Sequence, residues 1–207
     1  YRGDSKGWKL VRKVEVPADE LGSLLFTAHN ATREYWAGTR QGDLLRLDER
    51  APRRPAGYKP TAQQGVWALG VLPTPDAPLL LGTTGGTLRF GRARDDLGVL
   101  APLDAPGADF PSYSMATSVG ADGTQKLWVT TSGGGLSVFD GQWRRFRAAD
   151  SPLCSDDITS VTPVPVDGPV HEAVWLSTVS CAMRVPLDPS RTQQWQRVDD
   201  RSTPALP

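Results

Sequence analysis

The sequence predicts an all-β chain built from β-propeller blades, four-stranded antiparallel sheets set side by side. Three observations carry this reading. First, one short pattern occurs four times, as Trp36-Ala37-Gly38-Thr39, Leu80-Leu81-Gly82-Thr83, Trp128-Val129-Thr130-Thr131 and Trp175-Leu176-Ser177-Thr178. Its closing threonines, at 39, 83, 131 and 178, are 44 to 48 residues apart, a blade-sized period. Second, each copy is followed by a turn and a second short apolar run: Leu44 to Asp48, Leu88 to Phe90, Leu136 to Asp140, and Met183 to Val185. Third, no window of about 11 residues combines helical apolar periodicity with caps.

The fourth unit reads most clearly. Asp157 to Val161 is a β-branched first strand, and Pro163 through Gly168 reads as a punctuated connection. Ala173 to Thr178 is a continuous apolar second strand, as expected of a sheet covered on both faces. Met183-Arg184-Val185 is the third strand, and Gln194 to Val198 is a polar, alternating outer strand. The third unit repeats the plan with Met115 to Val119, Leu127 to Thr131, Gly135 to Asp140 and Gln142 to Phe146. The first uses Ser23 to Thr27, Tyr35 to Thr39 and Asp43 to Asp48, with a vague outer strand. The second uses Val66 to Val71, Leu79 to Thr83 and Thr87 to Phe90, with a weak outer strand near Val99. The blades span about 21–60, 61–105, 106–150 and 151–200.

Residues 6–16, centred on Gly7 to Val14, resemble the outer strand of a preceding blade, and Asp200 to Pro207 resembles the loop that opens a new one. The chain starts at Tyr1 without an initiator Met, so it is expected to be a processed or excised piece. The expectation is four blades of a larger ring of about six to eight, with a closed four-blade ring as the alternative.

Gly42, Gly86 and Gly134 each fall three residues after the closing threonine, where a tight turn calls for positive φ. Cys181 takes that place in the fourth unit. Only one other cysteine exists, Cys154. Two readings stand open for the pair: separate buried thiols, or a disulfide between the start of one strand and the end of its neighbour, which points to an oxidising compartment. Two cysteines and the distant His29 and His171 do not make a zinc ligand set.

Lys plus Arg number 23 and Asp plus Glu 23, so the formal net charge is zero. That removes the electrostatic footprint of a nucleic-acid binder or a polybasic membrane-surface protein. No stretch approaches the roughly 20 apolar residues of a spanning helix.

The tryptophan-led outer strand of unit three, then Asp150-Ser151-Pro152-Leu153-Cys154-Ser155-Asp156-Asp157-Ile158, then Ala173 to Thr178, resembles the two-component regulator propeller repeat. Trp36 to Thr39 with Leu45 to Asp48, and Gly82 to Phe90, resemble its second half more closely still. The resemblance covers about 20 to 200. It departs at Leu80, where the leading Trp is missing, and at Cys181, where the turn glycine is missing. It implies a ligand-sensing or protein-docking module of a larger bacterial signalling protein, periplasmic or extracellular in most members and cytoplasmic in some.

Of the seven tryptophans, Trp36, Trp128 and Trp175 lead second strands, and Trp8, Trp143 and Trp195 sit in outer strands. Their repeated placement predicts packing between blades. Trp67 differs, since it lies in an innermost strand that borders the ring axis. The glycine-rich turns at 82–86 and 132–135 lack the Lys-Ser/Thr and the helix of a phosphate loop. Arg2-Gly3-Asp4 and Asn30-Ala31-Thr32 are short coincidental patterns, Asp150, Asp156 and Asp157 lack calcium-loop spacing, and Arg144-Arg145-Phe146-Arg147 reads as a charged edge.

The residues after the closing threonines, Arg40, Thr84, Ser132 and Val179, with Gln41, Trp67 and Ser180, form the candidate ligand or partner face. No catalytic residue, cofactor or metal is expected. An unidentified small ligand, a protein, or the rest of the parent propeller is the expected partner. Two alternatives remain: a propeller lyase or glycosidase using Asp76, Asp122, Asp156 and Asp157, and a scaffold completed by a partner chain.

Overall fold

Each repeat folds into one antiparallel meander because its apolar runs are separated by turns too short for anything else. The computed structural model describes residues 2–4, 7–9, 21–29, 32–47, 52–54, 64–90, 100–167 and 170–198. A hairpin of β1 (Arg2–Asp4) and β2 (Gly7–Lys9) comes first. Blade 1 is β3 (Leu21–His29), β4 (Thr32–Thr39), β5 (Leu44–Leu47) and β6 (Pro52–Arg53). Blade 2 is β7 (Val66–Val71), β8 (Leu79–Thr83), β9 (Gly86–Phe90) and β10 (Leu100–Pro102). Blade 3 is β11 (Ser112–Val119), β12 (Gln125–Thr131), β13 (Leu136–Phe139) and β14 (Trp143–Phe146). Blade 4 is β15 (Ile158–Asp167), β16 (Val170–Thr178), β17 (Ala182–Pro186) and β18 (Gln196–Val198). Strands pair in chain order within every sheet.

The first strands are the innermost: β3 packs beside β7, β7 beside β11, and β11 beside β15. Between consecutive blades lie three apolar seams. Trp36 and Leu44 meet Val66, Leu69, Leu79, Leu81 and Phe90 in the first. Leu80 meets Leu127, Val129 and Phe139 in the second. Trp128, Leu136 and Val138 meet Ile158, Val174, Leu176, Met183 and Val185 in the third. Burying each large side chain stabilises the stack by about 1.5–3 kcal/mol.

The register gives a rule. The residue three before the closing threonine faces the next blade, and its two strand neighbours face the previous one. Leu80 therefore substitutes for tryptophan without changing the geometry. The same rule explains Trp175. Val174 and Leu176 point into the third seam, so Trp175 points away from it and is 39% exposed. That corrects the expectation that it packs between blades like Trp36 and Trp128. At the other end, Leu24 and Tyr35, on the face of blade 1 turned away from blade 2, are 65% and 49% exposed. Among the described residues, the outward faces of blades 1 and 4 are exposed at these positions.

Other departures have local causes. The stretch 163–167 is strand, not connection: Pro163 pairs with Val174 and Pro165 with His171. β15 is the inner edge of its sheet, where a missing N–H costs no ladder bond, and register shifts flank Pro165. Only Gln196–Val198 of the fourth outer strand pairs; Thr192–Gln194 forms a 3-10 turn that swings Trp195 inward. Its ring lies 5.5 Å from that of Phe146 and its indole donates to Pro189 O at 3.2 Å. Gly7–Lys9 pairs with Arg2–Asp4, and Leu10 to Val14 lie outside the described residues, as do Asp48, Val99 and Asp200 to Pro207.

Candidate ligand face

The closing threonines build one end of every blade. Each hydroxyl donates to a carbonyl or accepts from an amide across the following turn. Thr83 Oγ1 donates to Gly86 O at 2.8 Å, Thr131 Oγ1 to Gly135 O at 2.8 Å and Thr178 Oγ1 to Cys181 O at 2.9 Å. In blade 1 the amide of Asp43 donates to Thr39 Oγ1 at 3.0 Å. The side chains of Thr39, Thr83 and Thr131 are buried, so a threonine is needed where valine would leave the turn unbonded. Gly42 and Gly86 adopt positive φ as expected. In blade 3 the positive φ values fall on Gly133 and Gly135 and not on Gly134, although its turn is as long as that of blade 1.

Each threonine pairs with the first residue of its blade's inner strand: Leu21, Val66, Ser112 and Ile158. Immediately after that pair every inner strand has a register shift of one residue. The extra residues are Gly22, Trp67, Tyr113 and Thr159. A bulge re-aims its side chain out of the ladder. Four bulges therefore stand beside four threonine-closed turns at the same end of the stack.

Here the structure brings Arg40 and Trp67 together: the guanidinium lies 5.3 Å from the indole centroid. Tyr113 meets Trp67 edge-on at 6.3 Å. Gly65 makes the approach feasible, since a Cβ there would lie 2.8 Å from Arg40 O and 2.9 Å from Trp67 Nε1. Arg40, Gln41, Thr84, Val179 and Ser180 are exposed on the turns. Ser132 is half-buried and donates to Asp157 at 2.8 Å across the third seam. Tyr113 is not among the residues that the sequence assigns to this face. The distance from bulge to threonine varies with the length of the intervening hairpin, so no fixed spacing marks the bulge positions in the sequence.

At the same end a disulfide joins Cys154 to Cys181, with Cα atoms 6.5 Å apart. It ties the loop entering β15 to the turn after β16, where the other blades have glycine. That loop also serves blade 3. Asp156 O accepts from Gly133 N at 3.1 Å and from Gly135 N at 3.0 Å.

The four carboxylates of the enzyme alternative are divided between the two ends of the blades. Asp76 lies in the β7–β8 loop and Asp122 in the β11–β12 loop, at the far end; Asp156 and Asp157 lie at the bulge end. Hydrogen bonds from the Thr74 hydroxyl, with Arg89 adding charge, hold Asp76 below the usual carboxylate value of 3.8. The Thr124 hydroxyl and amide do the same for Asp122. Asp156 accepts from Ala148 N at 2.8 Å and lies 3.6 Å from Arg147. These are loop-fastening carboxylates. His171 Nδ1 accepts from Val119 N at 3.1 Å, a structural bond; the side chain of His29 lies outside the described residues. In the charged edge, Arg144 pairs with Asp140, while Arg145 donates to Gly134 O at 2.6 Å and covers the Phe110 ring. Among the described residues no cluster of three or more His, Cys, Asp and Glu side chains is placed to hold a metal.

With this geometry, the chain is similar to the extracellular domain of BT4673 of B. thetaiotaomicron, described as a hybrid two component system: TM-score 0.61, 16% identity, 95% of this chain and 24% of that one. The fold is a run of propeller blades. The extracellular domain of BT3049 from the same organism, described in the same terms, matches with TM-score 0.59 and 16% identity over 88% of this chain and 24% of that one. The chain thus spans about a quarter of the length of these structures. No family model and no curated protein sequence matches it. These structures have the fold that the repeat resemblance implies. Among the described residues no helix is long and apolar enough to cross a membrane.

Proposed function

We propose that this chain is a non-enzymatic sensing segment of a larger bacterial signalling protein, exposed to the periplasm or the exterior, which takes a ligand or a protein on the end that carries the threonine-closed turns. The observation that carries this is the fourfold convergence of bulges and turns at one end, with Arg40, Trp67 and Tyr113 exposed or half-exposed on adjoining blades. The fold likeness to extracellular domains of two-component systems supports the setting. So does the disulfide, a bond favoured in oxidising compartments.

The exposed end faces support a second element of the reading: the blades continue into a ring of about six to eight, supplied by the parent chain or by a partner. Leu24, Tyr35 and Trp175 occupy positions that are covered at the internal seams. The lyase or glycosidase alternative draws no support from carboxylates set at opposite ends of the blades.

The test is a thermal-shift screen of small molecules and peptides. A ligand at 100 times its Kd stabilises by about 2.7 kcal/mol, a shift of several degrees. The shift is expected to vanish in Trp67→Ala and to survive Asp122→Asn at the far end. Hits that respond only to the far-end variant contradict the proposal.

A further inference from the structure

We infer that His171 is a proton-operated latch. It holds the long hairpin of blade 4 against blade 3 while its imidazole is neutral, and releases it when the imidazole is protonated.

The hairpin of β15 and β16 overreaches its neighbours. Its strands have 10 and 9 residues, against 8 and 7 in β11 and β12 and 6 and 5 in β7 and β8. All three hairpins are aligned at their threonine-closed turns, so the surplus lies at the far end of the blade. There two register shifts interrupt the pairing around Pro165. Pro165 is exposed and brings no N–H, and Val166 is 62% exposed. The ladder alone therefore holds this tip weakly. His171, the register partner of Pro165, supplies a tether. Its Nδ1 accepts from the amide of Val119, the last residue of β11, at 3.1 Å. β11 is the inner edge of its sheet, and this amide bonds the imidazole of the next blade.

The direction of that bond decides its chemistry. A backbone amide can only donate, so Nδ1 carries a lone pair and the ring proton sits on Nε2. Protonation adds a proton at Nδ1 and sets two donors against each other. The bond is then lost, and the half-buried amide is left without its acceptor. Histidine is the side chain whose charge ordinarily changes between about pH 5 and 8. Among the charged groups of the surrounding elements, Glu172 of β16 pairs with Arg184 of β17 at 2.8 Å, and Lys126 of β12 lies 3.4 Å from Asp140. Asp122, in the β11–β12 turn, accepts from the Thr124 hydroxyl and amide. β15 contributes Asp167, which pairs in register with Val170. Among the described residues no carboxylate bonds the imidazole, so the contact that protonation removes is the one that fastens it to blade 3.

The experiment is amide hydrogen exchange on the whole chain between about pH 8 and pH 5. Rates are expressed as protection, so that the intrinsic pH dependence cancels, and the His171 ring resonances are followed in parallel. Protection at Val119, Val166 and Val170 is expected to fall about five- to tenfold, the scale of one hydrogen bond, in step with protonation of the His171 ring. Val71 and Leu79, at the same end of blade 2, are expected to show no step. His171→Asn offers an amide oxygen in place of Nδ1, an acceptor that does not titrate, and is expected to stay protected throughout. His171→Phe has no acceptor and is expected to show the low protection at every pH. Protection at Val119 that is unchanged while the ring protonates overturns the inference. So does a step that survives in both variants, because it would belong to another group such as His29. A step shared by Val71 and Leu79 means that the stack loosens as a whole, and it also refutes the latch.

Discussion

Trp128 and Trp175 hold the same place in consecutive blades, and their replacement by alanine separates a covered face from an open one. Trp128 is fully buried, and its indole donates to Ser118 Oγ at 2.8 Å. An aromatic side chain of this size buries about 150–250 Å². At about 25 cal/mol per Å² its removal costs about 4–6 kcal/mol, in line with the roughly 3–5 kcal/mol usual for such truncations in cores. The orphaned Ser118 hydroxyl adds about 1 kcal/mol. At about 2–4 °C per kcal/mol, Trp128→Ala is expected to lower Tm by about 10 °C or more. Trp175 is 39% exposed and opens onto solvent, so its truncation leaves no enclosed cavity. Trp175→Ala is expected to cost about half as much or less, near 2 kcal/mol. Urea unfolding of the two variants, with scanning calorimetry, measures both. Equal costs would refute the reasoning, because they would mean that the outer face of blade 4 is covered. In a protein with further blades the account expects the cost at Trp175 to rise to that at Trp128.

Three further outcomes are expected. Replacing both Cys154 and Cys181 by serine removes a crosslink over 27 residues, and is expected to cost about 3–4 kcal/mol on the chain-entropy scale; amide exchange should quicken first at Gly133 and Gly135, whose acceptor is Asp156 O. Thr131→Val keeps the shape but deletes the hydroxyl that closes the blade 3 turn, with an expected loss of about 1–2 kcal/mol by urea titration and no change at blade 1. Asp76, Asp122 and Asp188 have folded pKa values held below 3.8, chiefly by the hydroxyls of Thr74, Thr124 and Ser190. Their contribution is thus fully present above the unfolded value and is lost as pH falls through the lowered folded values. Carboxyl NMR titration should find all three more ionised than a free aspartate at the same acidic pH.

The blades were legible because one interaction recurs. A threonine that closes a turn with its hydroxyl must sit at the strand end, so Thr39, Thr83, Thr131 and Thr178 mark the same place in four sheets. The apolar residue three positions earlier is legible for the same reason, since register carries it to the seam. What register alone does not reveal is whether a neighbour stands there, and so the pattern that puts Trp36 and Trp128 inside does not mark Trp175 as exposed. Strand ends were also obscured. Pro163 and Pro165 punctuate a sequence, yet an inner edge strand tolerates them. Trp195 sits where a strand would alternate, but a 3-10 turn redirects it. For the ligand face, Arg40 and Trp67 could be named because one follows a threonine and the other lies in an inner strand. Tyr113 could not, because the bulge that presents it is a property of pairing between strands.

Methyl–indole NOEs across the seams test the stacking of four equivalent blades most directly. The account expects Trp36 indole protons to see Leu69 and Leu79 methyls of blade 2, and Trp128 to see Val174 and Leu176 of blade 4. Trp175 should see neither Trp128 nor Val138. NOEs of Trp36 and Trp128 confined to their own sheets, or shared between the two, would contradict it.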